Sequence, residues 1–171
     1  KKHPAYFITP ERGVIEVENK QKIVAALSDE LERRLNVTYF NTVFDSDEVH
    51  LGDYQQMKAT GDYLSKLNVI PRYGEGTFGN ISMRHKDGFL ITARKIDKGT
   101  LKDDDMVYVK KVDFENRKKH VEGKKKPSSE VLAHHLIYSE IPKTGAIIHA
   151  HDDLAVKHAE KLGVPITNQD Y

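Results

Sequence analysis

The sequence has no cysteine and no tryptophan. Without a thiol there is no disulfide framework, no thiolate-ligated zinc and no cysteine nucleophile, so any metal has to be held by His, Asp or Glu. A dominant charge is missing too: 27 Lys and Arg stand against 26 Asp and Glu, a formal net charge of +1, which supplies no global pull toward nucleic acid or a membrane surface. No apolar run approaches the roughly 18 residues of a membrane span, and Lys1 to Pro10 lacks the apolar centre of a signal peptide. The expected compartment is the cytoplasm. Because the first residue is Lys, not Met, the missing leader carries little weight. What is present is 171 residues, enough for one core without staples, and nine histidines that need an explanation.

Hydrophobic periodicity predicts a helix over Asn19 to Leu35, with Ile23, Val24, Leu27, Leu31 and Leu35 along one face, inside an N-terminal extension of residues 1–50. Val37 to Leu51 is strand or loop. A second helix fits Asp53 to Leu67: Asp53 is a suitable N-cap, and Met57, Gly61, Leu64 and Leu67 form its apolar stripe. The runs Asn80 to Arg84 and Phe89 to Thr92 read as a hairpin around Lys86-Asp87-Gly88, and Met106 to Val112 as a further strand. Ser128-Ser129-Glu130 opens a helix to about Glu140, with a hydroxyl as cap and the carboxylate in the first turn. Gly145 to Ala150 is a short strand, and Asp152 or Asp153 caps a last helix that stops near Gly163. The pattern is mixed α/β.

Three groups of residues carry chemistry. His149-Ala150-His151 sets two imidazoles on one strand face, a geometry that zinc accepts, although the spacing alone is a weak signal. Glu130, with His134 one turn later, supplies a carboxylate that can act as general acid/base; a first-turn Glu is also an ordinary dipole partner. Gly79-Asn80 in a tight turn and Ser128-Ser129 at a helix start can hold a phosphate, and either is equally at home as a turn or a cap. The lysine-rich stretch from Glu115 to Lys126 has no interleaved aromatics and reads as a solvated loop tip, so no nucleic-acid partner is expected.

Taken in order, Gly79-Asn80-Ile81-Ser82-Met83-Arg84, Phe89-Leu90-Ile91-Thr92, Asp97-Lys98-Gly99, Pro127-Ser128-Ser129-Glu130 with His134 and Tyr138, and His149-Ala150-His151 resemble the class II aldolase/adducin family from about Lys58 to Tyr171. The resemblance, of a fuculose-phosphate aldolase-like kind, implies a three-layer α/β/α fold with a mainly antiparallel sheet in residues 51–171, and a divalent metal, usually zinc. By position it makes His149 and His151 metal ligands and Glu130 the acid/base. Asn80, Ser128 and Ser129 fall on phosphate-binding positions. The implied reaction is cleavage of an aldol bond in a small phosphorylated sugar or ketose through an enediolate, with no membrane or nucleic-acid partner and a homo-oligomer, a tetramer in the family. The third histidine of that family falls some sixty residues after the pair, whereas twenty residues follow His151 here; the expectation is a chain that lacks the C-terminal part.

Ala93-Arg94-Lys95 stands where the sugar-phosphate aldolases of the family usually carry Pro-Ser-Gly. Arg94 either binds an anion bidentately or blocks the phosphate pocket. Glu130 favours an aldolase over the family's epimerases, which tend to carry Asp there, and a sugar-phosphate dehydratase is a close variant. The rival of another class is a non-catalytic, adducin-like oligomerising scaffold.

Overall fold

The computed structural model describes residues 8–9, 13–14, 40–49 and 54–163. The helix expected over residues 19–35 lies outside them. The strands are β1 (Ile8–Thr9), β2 (Gly13–Val14), β3 (Asn41–Ser46), β4 (Arg72–Tyr73), β5 (Gly76–Thr77), β6 (Asn80–His85), β7 (Gly88–Thr92), β8 (Met106–Asp113), β9 (Lys118–Glu122) and β10 (Ala146–His149). The helices are α1 (Gln55–Lys66), α2 (Val131–Glu140) and α3 (Asp153–Lys157). Six strands form one sheet in the order β10-β6-β7-β8-β9-β3. Every neighbouring pair is antiparallel except β3 with β9. This is the expected α/β fold on a mainly antiparallel sheet.

The two-residue turn between β6 and β7 is Lys86-Asp87, with Lys86 in the left-handed region at φ +50°. The pairing sets Ser82 opposite Ile91 and Ile91 opposite Val107, so these side chains share one face. Phe89 and Val109 continue that face, and α2 lies on it: the Tyr138 ring packs 5.0 Å from that of Phe89. Leu90, Met106 and Tyr108 belong to the opposite face and are equally buried. Helix α1 lies against β6 and against the short turn Lys98–Thr100.

Several local expectations change. α1 starts at Gln55 with Tyr54 in the N-cap position, and it stops at Lys66, which leaves Leu67 52% exposed and outside the buried stripe of Met57, Gly61 and Leu64. The lysine-rich stretch is not a loop throughout. Lys118–Glu122 forms β9, because Val121 alternates inward and is fully buried opposite Val109, while its charged neighbours lie outside. Glu130 is the N-cap of α2, one place before the first turn. The last helix is short, and Asp152 is its cap, accepting from the Leu154 and Ala155 N–H groups.

Asp97-Lys98-Gly99 pins this frame together. Lys98 is 3% exposed and donates to the carbonyls of Thr77 (2.5 Å) and Ile96 (3.3 Å), with burial pushing its ammonium down against the pull of Asp97 and Asp105. A Cβ on Gly61 would lie 2.0 Å from the Lys98 carbonyl oxygen, so only glycine lets α1 approach this turn.

Candidate active site

The register places the chemistry-bearing residues at one end of the sheet. Asn80 opens β6 opposite His149, the last residue of β10, and Asn80 Nδ2 lies 3.3 Å from His149 Nδ1. Asn80 is 2% exposed, and among the described residues its Oδ1 is a buried side-chain oxygen without a hydrogen-bond partner. Gly79 precedes it at φ +73°; a Cβ there would stand 2.2 Å from the His149 carbonyl oxygen. The Gly-Asn pair is therefore what lets β10 close up against β6.

β10 ends at His149, so His151 is set by a contact beyond the strand: its N–H donates to the Val69 carbonyl at 2.9 Å. The two imidazoles come together, with ring centroids 5.0 Å apart and planes 24° from parallel. Phe78 packs against His151 at 4.8 Å. Sequence reading passed over Phe78, whose one signal was an aromatic directly before Gly79-Asn80. Among the described residues no group of three His, Cys, Asp or Glu is arranged to hold a metal ion. Two imidazoles can supply at most two of the four ligands of a tetrahedral zinc site.

Helix α2 brings Glu130 to the same end. Ser82 Oγ lies 2.7 Å from His134 Nδ1 and 2.8 Å from the Tyr138 hydroxyl, and all three side chains are buried. Burial pushes the Tyr138 phenol up, which keeps it a neutral donor. Arg84 donates to the Tyr138 carbonyl at 2.9 Å and covers the Tyr138 ring. The C-terminal half of α2 is thus tied to Ser82 and Arg84. Its beginning consequently lies toward Asn80.

The turn before α2 is held from the other side. Ser128 donates its N–H to the Thr92 carbonyl at 3.2 Å, and its hydroxyl accepts from the Glu130 N–H at 3.2 Å. Ser129 Oγ donates to Glu130 Oε1 at 3.3 Å. Ser128 is not the cap that the sequence suggested: its hydroxyl holds the N–H of the N-cap residue Glu130 from two places before it, and it is buried, whereas Ser129 is exposed. Across an antiparallel bridge of Ala93 with Pro127, the Arg94 N–H donates to the Lys126 carbonyl at 3.0 Å. Arg94 is exposed at that lip. Lys95, where the resembled aldolases usually carry Gly, has φ +56°, the left-handed backbone that glycine adopts without strain.

Residues 63–170 match the family described as Class II Aldolase and Adducin N-terminal domain. The chain is 40% identical over 92 residues to a 5-methylthioribulose-1-phosphate/5-deoxyribulose-1-phosphate aldolase of Rhodospirillum rubrum, covering 54% of this chain and 38% of that protein. It is 34% identical over 110 residues to the L-ribulose-5-phosphate 4-epimerase UlaF of Salmonella paratyphi B, covering 60% of this chain and 46% of that protein. A solved L-fuculose 1-phosphate aldolase superposes with a TM-score of 0.50 at 30% identity, covering 61% of this chain and 46% of that one. The chain spans less than half the length of these relatives. With more than half of its residues on the family's pattern, the chain belongs to the class II aldolase and adducin family.

Proposed function

We propose that the chain carries the metal-binding and acid/base part of a sugar-phosphate aldolase, an aldehyde-lyase that opens an aldol bond in a small phosphorylated sugar or ketose. The observation that carries this reading is the meeting of His149 and His151 at 5.0 Å beside buried Asn80, at the sheet end toward which α2 brings Glu130. His149 and His151 would hold a divalent metal, zinc by the nature of two imidazole donors. Such an ion supplies a Lewis acid that steadies negative charge developing on the substrate's carbonyl and hydroxyl oxygens.

The chain's own residues do the rest. Glu130 takes and returns the proton at the reacting carbon or oxygen; at the N-cap of α2 it stands where the helix dipole favours its ionised form, ready as a base. Ser128 fixes its backbone and Ser129 its carboxylate. The substrate's phosphate is held by Ser129 and Arg94 from the exposed rim and by Asn80 and Ser128 from beneath it. In this reading residues 51–171 form the class II domain and residues 1–50 an extension. It further takes the protein to be a cytoplasmic homo-oligomer.

The test pairs metal content with turnover of phosphorylated ketoses. Stoichiometric zinc that is lost in His149→Ala and His151→Ala, together with cleavage lost in Glu130→Gln at unchanged zinc, supports the enzyme. A well-folded protein that takes up no metal favours the non-catalytic scaffold.

A further inference from the structure

Two backbone hydrogen bonds converge on one short segment. The Val69 carbonyl accepts from the His151 N–H at 2.9 Å, and the Pro71 carbonyl, two residues on, accepts from the Phe78 N–H at 2.9 Å. The segment between is stiff, because Ile70 is buried in the core and the Pro71 ring locks its φ. Phe78 and His151 are far apart in sequence, yet both hang from the same three residues. Their rings meet with centroids 4.8 Å apart and planes 31° from parallel, a separation at which an aromatic pair attracts.

The residues on either side of Phe78 are pinned as well. Before it, the Thr77 N–H donates to the Ile96 carbonyl at 3.0 Å, its carbonyl accepts from the buried Lys98 ammonium at 2.5 Å, and its hydroxyl accepts from the Lys98 N–H at 3.1 Å. After it, Gly79 has no room for a Cβ, which would stand 2.2 Å from the His149 carbonyl oxygen and 3.3 Å from Ile70 Cγ2. Core burial is not what places Phe78, since the residue stays 38% exposed. Its backbone sets it, and what it meets there is an imidazole. The two histidines are thus reached differently: the Asn80 amide stands 3.3 Å from Nδ1 of His149, whereas the near-parallel contact of Phe78 with His151 does not engage the in-plane ring nitrogens.

We propose that Phe78 is a positioning residue for His151, its ring fixing the plane of the imidazole before any metal arrives. An imidazole already held in one orientation loses less rotational freedom when it takes up an ion, so the contact raises metal affinity without touching the metal. The consequence for affinity rests on the reading of His151 as a ligand. The contact between the rings does not.

Phe78→Leu keeps an apolar side chain on the same backbone and removes the flat ring; Phe78→Tyr keeps the ring. The full chain is followed zinc-free by NMR of the imidazole C–H groups, assigned with His149→Gln and His151→Gln, and then by zinc competition against a chromophoric chelator. In Phe78→Leu the His151 ring signals should lose the displacement that a neighbouring aromatic ring gives them, and zinc affinity should fall by about three- to tenfold at a nearly unchanged melting temperature. Phe78→Tyr should restore both. Cross-relaxation between the Phe78 and His151 ring protons in the parent needs no variant, so the test survives a leucine chain that fails to fold. Absent cross-peaks, His151 signals that ignore the leucine, or a tyrosine variant as weak as the leucine one would overturn the positioning role. A parent that takes up no zinc, yet shows the cross-peaks and the leucine-dependent His151 signals, would sink the metal reading and leave Phe78 as the support of that ring. Zinc held with equal affinity by the parent and the leucine variant would sink the positioning role alone.

Discussion

Asn80 faces His149 across the β6–β10 ladder, its amide nitrogen 3.3 Å from the ring's Nδ1. What the amide presents decides which ring nitrogen carries the proton. An amide N–H toward Nδ1 demands a bare Nδ1 and leaves the hydrogen on Nε2, whereas an amide oxygen there accepts from Nδ1–H and leaves the Nε2 lone pair free. Only the second arrangement suits a ligand through Nε2, and partners of this kind are worth about 10–100-fold in metal affinity.

Asn80→Asp, which offers only acceptors to His149, should therefore hold zinc at least as well as the parent, while Asn80→Ala should weaken it by about tenfold or more. Competition with a chromophoric chelator reads both. Equal affinity in the alanine variant would mean that Asn80 does not orient the ring.

Gly79 is where the two strands touch most closely, with its absent Cβ 2.2 Å from the His149 carbonyl oxygen and its φ at +73°. Gly79→Ala adds overpacking to a left-handed penalty, a loss of about 2–4 kcal/mol, and it pushes β10 outward. Urea unfolding should show the loss. The His149 amide should lose exchange protection in the same variant.

The Ser82 hydroxyl serves His134 and Tyr138 together. Tyr138→Phe removes one hydrogen bond and should cost about 1 kcal/mol; Ser82→Ala strands two buried polar groups and should cost about 2–4 kcal/mol. Chemical denaturation of both variants checks the ordering, which reverses if the hydroxyl is only a spectator.

His135 is pushed below its ordinary 6.5 by burial alone. Its folded form favours the neutral ring, so the unfolded chain binds the extra proton first as pH falls. The stability that this neutral ring permits is fully present above about 6.5 and is lost as pH drops below that value toward the folded pKa. His135→Gln should flatten that part of the stability profile between pH 8 and pH 5. An unchanged slope would assign the acid sensitivity elsewhere.

Much of this architecture was legible in the chain. The hairpin of β6 and β7 follows from two apolar runs around a short polar turn, and β8 from the apolar run Met106 to Val109 with Val112 after it. The His149-Ala150-His151 pair and the Ser128-Ser129-Glu130 turn stand at the ends of elements that periodicity places correctly. What was hidden depends on tertiary contact. β9 reads as a polar loop because Val121 alone, opposite Val109, turns it into a strand. The position of His151 is set by the Val69 carbonyl, eighty-odd residues upstream, and by Phe78, neither of which any local pattern announces.

The most direct measurement is zinc content and affinity of the full chain, set beside those of the His149→Ala and His151→Ala variants in matched folded samples. The account predicts zinc bound by the parent and a loss of at least a hundredfold in affinity in either variant. A parent that binds zinc no better than the variants would contradict it.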